Sequence, residues 1–198
     1  MKYRDLSSPE KYILKGIPIL FIIGSMMHFA YDLSKNNPIV GLFTPVNESI
    51  WEHSKMVLIP VILWWVLYYC FKGRQHCINK NKWFQSAFVA LITSLLTIPM
   101  LYYFYTEAFG IELLVIDIII LFLAIIFGQL LALHVYKYGK GINSSIVIVF
   151  FVVLIFMFMI FTFYPPHIPL FQDNTSGDYG INKMNYTNAY INISNYYF

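Results

Sequence analysis

The sequence predicts an all-α integral membrane protein: a five-span transmembrane helical bundle with a loop-helix and a Pro-rich, aromatic C-terminal tail on the extracytoplasmic side. Hydrophobic residues make up 59% of the 198 residues and charged residues only 12%, whereas about a quarter of the residues of a soluble domain are charged. The mean hydropathy is +0.62. Apolar residues also occur in runs of about 20, the length that a membrane-spanning helix needs. This composition excludes a soluble globular protein, and a net charge of only +3 argues against a nucleic-acid partner.

Five apolar runs define the predicted spans. The second run is short, but a helix that begins after Pro45 with Asn47 as its N-cap is expected to extend it. The five spans form a predicted membrane domain of residues 1–164, and residues 165–198 form an extracytoplasmic tail. The predicted spans are residues 16–33, 56–71, 83–105, 113–136 and 146–164.

The positive charges predict the orientation in the membrane. Ten of the thirteen Lys and Arg residues precede the first span or lie between spans two and three or four and five. Only Lys35, Lys55 and Lys183 fall on the other side. Because cytoplasmic segments carry the excess of Lys and Arg, the N-terminus is expected inside and the C-terminus outside. A composition rich in Ile, Asn, Lys, Tyr and Phe is typical of AT-rich bacteria, which indicates a bacterial cytoplasmic membrane.

Acidic residues and histidines show the reverse asymmetry. Eight of the ten acidic residues and three of the five histidines map to the outer end of the bundle. His28 and Asp117 lie within the outer third of their spans, where an ionisable side chain is costly and usually faces a partner or a wet cavity. These residues therefore predict a polar pocket between the first and fourth helices. The alternative for each of them is a hydrogen bond that serves packing alone.

The densest polar segment is residues 36–55, NNPIVGLFTPVNESIWEHSK. It reads as an ordered loop at the outer leaflet followed by a helix, on which Glu48, Glu52 and Lys55 share one face. Two carboxylates one turn apart repel each other unless a cation lies between them, and Lys55 or a metal ion could supply that cation. Glu48, Glu52 and His53 are the candidate catalytic residues. The alternative is an interfacial helix with an aromatic anchor.

The fifth span ends in a proline-rich stretch, YPPHIPLFQD. Its prolines stiffen the chain, and residues 165–173 are expected to pack on the outer ends of the first and second helices. This would bring His167 and Asp173 to the other polar groups, whereas a loose end is the alternative. Histidines with carboxylates are ordinary ligands of a divalent metal such as zinc. The candidate metal ligands are His28, Glu52, His53, Asp117, His167 and Asp173.

Three segments carry a resemblance to a known family: His28-x-x-Tyr31, residues 36–55 with NPIVGLF and PVNES.WEH.K, and residues 165–173. With them the chain resembles a family of small bacterial polytopic membrane proteins that is a domain of unknown function. The resemblance extends over essentially the whole chain and implies a membrane protein of this size, without an activity. The chain is more distantly similar to multi-span metal-dependent hydrolases such as alkaline ceramidases, although their HxxxH pair is absent.

Two functions from different classes follow, and the sequence leaves open whether the protein is an enzyme. The first is a metal-dependent hydrolase or transferase that acts on a lipid or lipid-linked substrate at the outer face, with the metal activating water and Glu48 as base. The alternative is a small transporter, or a membrane subunit that binds a partner through the outer loop and tail. The concentration of polar residues at one end favours a surface site over a conduit.

Overall fold

The structure is a computed structural model that describes residues 3–181. The regular secondary structure of the described residues is helical, apart from an isolated antiparallel bridge between Gln172 and Tyr179. Short 3-10 helices cover Tyr3–Asp5 and Pro169–Phe171. The α-helices of this part of the chain are α1 (Ser8–His28), α2 (Ala30–Leu33), α3 (Pro38–Gly41), α4 (Ile50–His53), α5 (Lys55–Lys72), α6 (Lys80–Phe109), α7 (Leu114–Tyr138) and α8 (Ser144–Phe163).

Local signals set the ends of the long helices. At the beginning of α6 the Asn79 side chain accepts a hydrogen bond from the Lys82 N–H at 3.1 Å, which satisfies one of the free donors of a helix N-terminus. The same helix ends at Gly110, whose φ of +64° lies in the left-handed region that glycine adopts without strain. At α8 the Asn143 side chain accepts from the Ser145 N–H.

Within residues 3–181, four helical stretches are long and apolar enough to cross a membrane: Ile50–Lys72, Lys80–Phe109, Leu114–Tyr138 and Ser144–Phe163. They support the prediction of a membrane protein. The helix α1 has 21 residues but is not among the four, because charged residues in its first turns lower its hydropathy. Residues 16–28, which carry no Lys, Arg, Asp or Glu, rise about 20 Å, less than the ~30 Å of a bilayer core.

The helices pack as an antiparallel bundle. The helix α6 packs against α5, α7 and α8, while α1 packs against α5 and α7. Glycine permits the close approach of α7 to α6, because a Cβ on Gly128 would lie 2.6 Å from the Ala90 carbonyl oxygen. Between α1 and α5, a Cβ on Gly24 would lie 2.6 Å from the Met56 carbonyl oxygen. The contact of Gly24 with Met56 brings the polar end of α1 close to the beginning of α5.

One end of the bundle joins the beginning of α1 to the end of α7. Glu10 accepts a hydrogen bond from the Ser7 N–H at 2.7 Å, and its other oxygen lies 3.3 Å from Lys137 Nζ. At the same end of α6 the Ser144 N–H donates to Asn81 at 3.1 Å. These polar contacts lie at the end where the cationic segments of the sequence gather.

The helix before α5 begins later than predicted. Ser49 is the N-cap of α4, and its hydroxyl accepts from the Glu52 N–H at 3.2 Å. Asn47 closes a turn instead, because its side-chain oxygen accepts from the Ser49 N–H at 3.0 Å. The prediction that Asn47 caps this helix is therefore wrong. Glu48 consequently precedes the helix and does not share a helix face with Glu52.

The beginning of the tail folds back on the bundle. Phe171 packs on Trp51 of α4, with ring centroids 4.6 Å apart, and the Gly180 carbonyl accepts from the Asn47 side chain at 3.1 Å. The Ile181 N–H donates to the Thr162 carbonyl at the end of α8. Residues 165–181 thus lie against α4 and α8. The rest of the predicted tail, residues 182–198 with Lys183, lies outside the described residues.

Candidate functional site

Three side chains from separate segments converge at the end of the bundle where α1 ends. His28 Nε2 lies 3.9 Å from Glu48 Oε1, and His53 Nε2 lies 3.3 Å from Glu48 Oε2. The two imidazoles stack, with centroids 5.2 Å apart and planes 18° apart. One potential ligand atom of each residue lies within 4.8 Å of the other two. Of the described residues, these three form the group that could hold a metal ion.

The backbone around Glu48 holds His53 in a defined orientation. His53 Nδ1 lies 3.1 Å from the Ser49 carbonyl oxygen. A carbonyl oxygen can only accept a hydrogen bond, so the proton of neutral His53 resides on Nδ1. The other ring nitrogen, Nε2, faces Glu48 Oε2. It donates a hydrogen bond to the carboxylate when it is protonated, and it would offer its lone pair to a metal ion when it is not. Orienting a metal-binding imidazole through a backbone carbonyl is a common feature of metal sites.

The three groups lie close together, but more widely spaced than the ligands of a bound zinc ion. In a tetrahedral zinc site with bonds of 2.0–2.2 Å the ligand atoms lie about 3.4 Å apart. Here different oxygens of Glu48 lie 3.3 Å from His53 and 3.9 Å from His28, and one ligand atom from each residue lies within 4.8 Å of the others, so a bound ion would draw the three side chains together. The hydrogen bond with His53 lowers the pKa of Glu48 more than partial burial raises it, and the charge of His28 acts in the same direction. Glu48 is therefore ionised at neutral pH, the form that binds a metal.

A cavity of about 380 Å³ adjoins the cluster. It lies between α1, α4, α5, α6 and α7, and its walls are mostly apolar. No lysine or arginine is among the described residues that line it, so His28 and His53 are the basic side chains beside its carboxylates. The volume falls in the range of about 300–1,000 Å³ that is usual for small-molecule sites. The apolar side chains of its inner wall are Ile50, Met56, Ile98, Ile120 and Leu121.

Two more carboxylates line the same cavity, Glu112 just before α7 and Asp117 within it. Tyr105 donates a hydrogen bond to Asp117 at 2.8 Å, and Tyr102 donates to Glu112 at 2.8 Å. From the tail, the Asn174 side chain donates to the Tyr102 hydroxyl oxygen at 2.7 Å. Asp117 thus lines the predicted pocket between α1 and α7, although it lies outside the group of three metal-capable side chains.

Glu52 lies apart from the cluster. Its carboxylate is 2% exposed, and Oε2 lies 2.6 Å from the Lys55 Nζ, which is fully buried. The Val46 N–H donates to the same oxygen at 3.1 Å. A carboxylate that already neutralises a buried ammonium group has little capacity left for a metal ion. Glu52 therefore stabilises the loop before α4, through its bonds to the Val46 N–H and to Lys55.

The two tail candidates also lie apart. His167 is exposed and its ring packs on Tyr179, with centroids 4.6 Å apart. Asp173 accepts hydrogen bonds from the N–H groups of Thr175 and Ser176 at 2.7 and 3.1 Å. Asp173 therefore closes the turn that carries Asn174 to the cavity. The tail contributes to the site through Asn174, which the sequence did not single out.

Sequence reasoning also missed the role of the tyrosines and Glu112. Glu112 belonged to the outer acidic group, and its position five residues before Asp117 was a signal for a second carboxylate nearby. No sequence signal distinguished Tyr102 and Tyr105 from the other 14 of the 16 tyrosines, because aromatic residues at a membrane surface are ordinary.

The chain belongs to a family of unknown function (DUF6512), whose profile matches residues 1–181. No curated protein and no solved structure matches the chain. The family carries no assigned activity, so any functional argument rests on the geometry of the site.

Proposed function

We propose that this member of a family of unknown function is a membrane-embedded, metal-dependent hydrolase or transferase that acts on a lipid-type substrate at the outer face. The observation that carries the proposal is the convergence of His28, Glu48 and His53 within 4.8 Å beside an apolar cavity. Two imidazoles and one carboxylate are a known ligand set of catalytic zinc, which leaves a fourth position for water or substrate.

The proposed topology has five spans, with α1 as the first, and places the cavity at the extracytoplasmic face of a bacterial cytoplasmic membrane. Two features support it. The helix α1 packs against α5 and α7, and ten of the thirteen Lys and Arg residues fall in the segments at the opposite end. The N-terminus would then be cytoplasmic and the C-terminus outside. The short apolar part of α1 would be accommodated by its packing against longer helices and by local thinning of the bilayer.

The geometry suggests a revised division of roles. Glu48 lies between the two histidines, where it would bind the metal and would not serve as the base. Asp117, which lines the same cavity and accepts a hydrogen bond from Tyr105, is then the group that would take up a proton. A bound divalent metal would lower the pKa of a water molecule and polarise the substrate.

In hydrolysis, Asp117 would accept one proton of the water as the water oxygen forms a bond to the acyl carbon or phosphorus. The bond to the leaving oxygen then breaks, and Asp117 returns the proton to that oxygen. The products are an acid and an alcohol. In a transfer reaction, an alcohol acceptor takes the place of water and the proton follows the same route.

Metal content of the purified protein tests the proposal. The wild type in detergent is expected to hold about one zinc ion per chain. The protein is dialysed against a buffer that contains zinc, unbound zinc is washed away, and the bound metal is measured by elemental analysis. His53→Ala and Glu48→Gln are expected to lose the metal, while the matched control His167→Ala keeps it. Equal metal content in the wild type and both cluster variants would contradict the proposal. The alternative, a small transporter or a partner-binding subunit, would then take its place.

A further inference from the structure

We infer that the cavity binds one acyl chain of a glycerophospholipid, which enters sideways from the bilayer between the end of α1 and the beginning of α7. This names the substrate class of the site and rests on the proposed function for the reaction, although the binding of the chain itself requires no metal. The argument depends on where the cavity opens, what lines it and what lies at its polar end.

The mouth of the cavity is made of apolar side chains that are also exposed on the surface of the protein. Leu114 is 68% exposed, and Phe29 and Ile118 are exposed as well, yet all three line the cavity. Because Leu114 and Ile118 belong to a helix of membrane length, this surface would face lipid. The cavity is therefore continuous with the bilayer-facing surface of the bundle.

The floor of the cavity is buried and apolar. Ile98 and Leu121 are each 6% exposed and line its inner wall. A lipid chain could pass from the mouth at Leu114 to the floor at Leu121 along apolar side chains. Water in this part of the cavity would find few hydrogen-bond partners, and a buried water normally makes about three.

The polar end lies at the tail and the histidine cluster. The tail turn places Asn174 and Thr175 in the cavity wall, and Asn174 is hydrogen-bonded to Tyr102. A phospholipid whose chain occupied the floor would have its ester and phosphate groups at this end. An anionic phosphate there would complement a divalent cation held by His28, Glu48 and His53.

The chain alone should bind weakly. An acyl chain that moves from the bilayer into an apolar cavity leaves one apolar environment for another, so the free-energy gain that accompanies transfer of each CH₂ from water does not apply. Occupancy depends instead on shape and on the contacts of the head group. The test must therefore be made in a bilayer, where the lipid concentration is high.

The experiment is photolabelling of the full chain in vesicles of phosphatidylglycerol and phosphatidylcholine. The probe is a phosphatidylcholine with a diazirine at the end of one acyl chain, and adducts are mapped by mass spectrometry after digestion. We expect adducts on Ile98 or Leu121, which bulk lipid does not reach. Leu121→Trp is expected to abolish labelling of Ile98. The matched control Ile119→Trp changes an exposed neighbour outside the cavity and should leave the labelling of Ile98 unchanged.

The outcomes separate this inference from the proposed function. Adducts confined to exposed residues such as Leu114 and Ile119 in the wild type would overturn the acyl-chain site, and this result requires no variant to fold. Adducts on Ile98 that persist in the protein treated with a chelator support the site. If those adducts form while the purified protein holds no metal, the acyl-chain site stands and the metal-dependent reaction fails.

Discussion

Glu52 and Lys55 form an ion pair with 2.6 Å between Oε2 and Nζ, at side-chain exposures of 2% and 0%. Lys55 also donates to the Gly41 carbonyl oxygen at 2.8 Å and to the Thr162 hydroxyl oxygen at 2.6 Å. One ammonium group therefore joins the end of α3, the helix α4 and the end of α8. Burying two charged groups has a high desolvation cost. Replacing one partner destabilises the protein more than replacing both, because it leaves the other charge buried without a counter-ion.

We expect Lys55→Met to destabilise the protein by about 3–5 kcal/mol, because it leaves the Glu52 carboxylate buried without a cation. The double variant Glu52→Leu with Lys55→Met should recover much of this loss. Thermal unfolding in detergent measures both changes. Lys35→Met is the control, since Lys35 is exposed. An effect of Lys55→Met no larger than that of Lys35→Met would contradict a structural role for the pair.

Asp117→Asn is expected to retain the metal and to lose hydrolysis by a factor of about 10²–10⁴, the usual contribution of a general base. The reason is that Asp117 lines the cavity but lies outside the cluster of His28, Glu48 and His53. Metal content and turnover of a fluorogenic phospholipid ester are measured on the same sample. Asp32→Asn, a change of an exposed carboxylate, serves as control. Loss of the metal from Asp117→Asn would instead make Asp117 a ligand.

Glu10 predicts a pH-dependent stability. Burial raises the pKa of its carboxyl group, but hydrogen bonds from Ser7 and the contact with Lys137 outweigh this and hold the pKa of Glu10 below its usual 4.5. A carboxyl group with a lower pKa in the folded state stabilises the fold above the unfolded value. This stabilisation is lost as the pH falls through the folded value.

Glu10→Gln is therefore expected to lower the free energy of unfolding by about 1 kcal/mol at neutral pH, as loss of a helix cap does. The difference from the wild type should shrink as the pH is lowered below 4.5. Thermal unfolding in detergent over a pH series measures it, with Asp5→Asn as an exposed control. A difference that stays constant across the series would argue against the ionised form of Glu10 as the stabilising species.

Reporter fusions test the topology. A fusion after Lys140 is expected to report the cytoplasm and a fusion after Phe198 the outside, because the cationic segments lie at one end of the bundle. A fusion after Lys35 tests α1 and should report the outside if this helix spans. Three helices of membrane length lie between Lys35 and Lys140, so the two positions should report opposite sides. A cytoplasmic signal after Lys35 with an outside signal after Lys140 would reduce the bundle to the four helices of membrane length and leave α1 on the inner surface.

The bundle could be predicted from the sequence because apolar runs and charge asymmetry are properties of whole segments. The helices of membrane length match the predicted spans within a few residues, except that the second begins at Ile50. The residue that caps that helix could not be predicted, since Asn47 and Ser49 are both good N-caps. The choice between them depends on tertiary contacts such as the bond from Asn47 to Gly180.

The candidate site was predictable as a region but not in its details. His28 and His53 were recognised from their position at the outer end, and the structure brings them together through Glu48. The roles of Glu48 and Glu52 could not be separated, because a shift of the helix start by a few residues turned Glu48 away from Lys55. Burial decided that Glu52 pairs with Lys55, and a single sequence carries no direct record of burial.

The contact of Asn174 with Tyr102 has a consequence for biosynthesis. In sequence order, the first residues that line the cavity belong to α1 and the last belong to the turn after α8, so the lining spans residues 25–175. A ribosome delivers these segments in order, and every helix of the bundle is made before Asn174 emerges. The pocket is thus completed only after the hydrophobic helices have been inserted, and a nascent chain paused before residue 174 would carry the histidines without the tail residues that close the polar end.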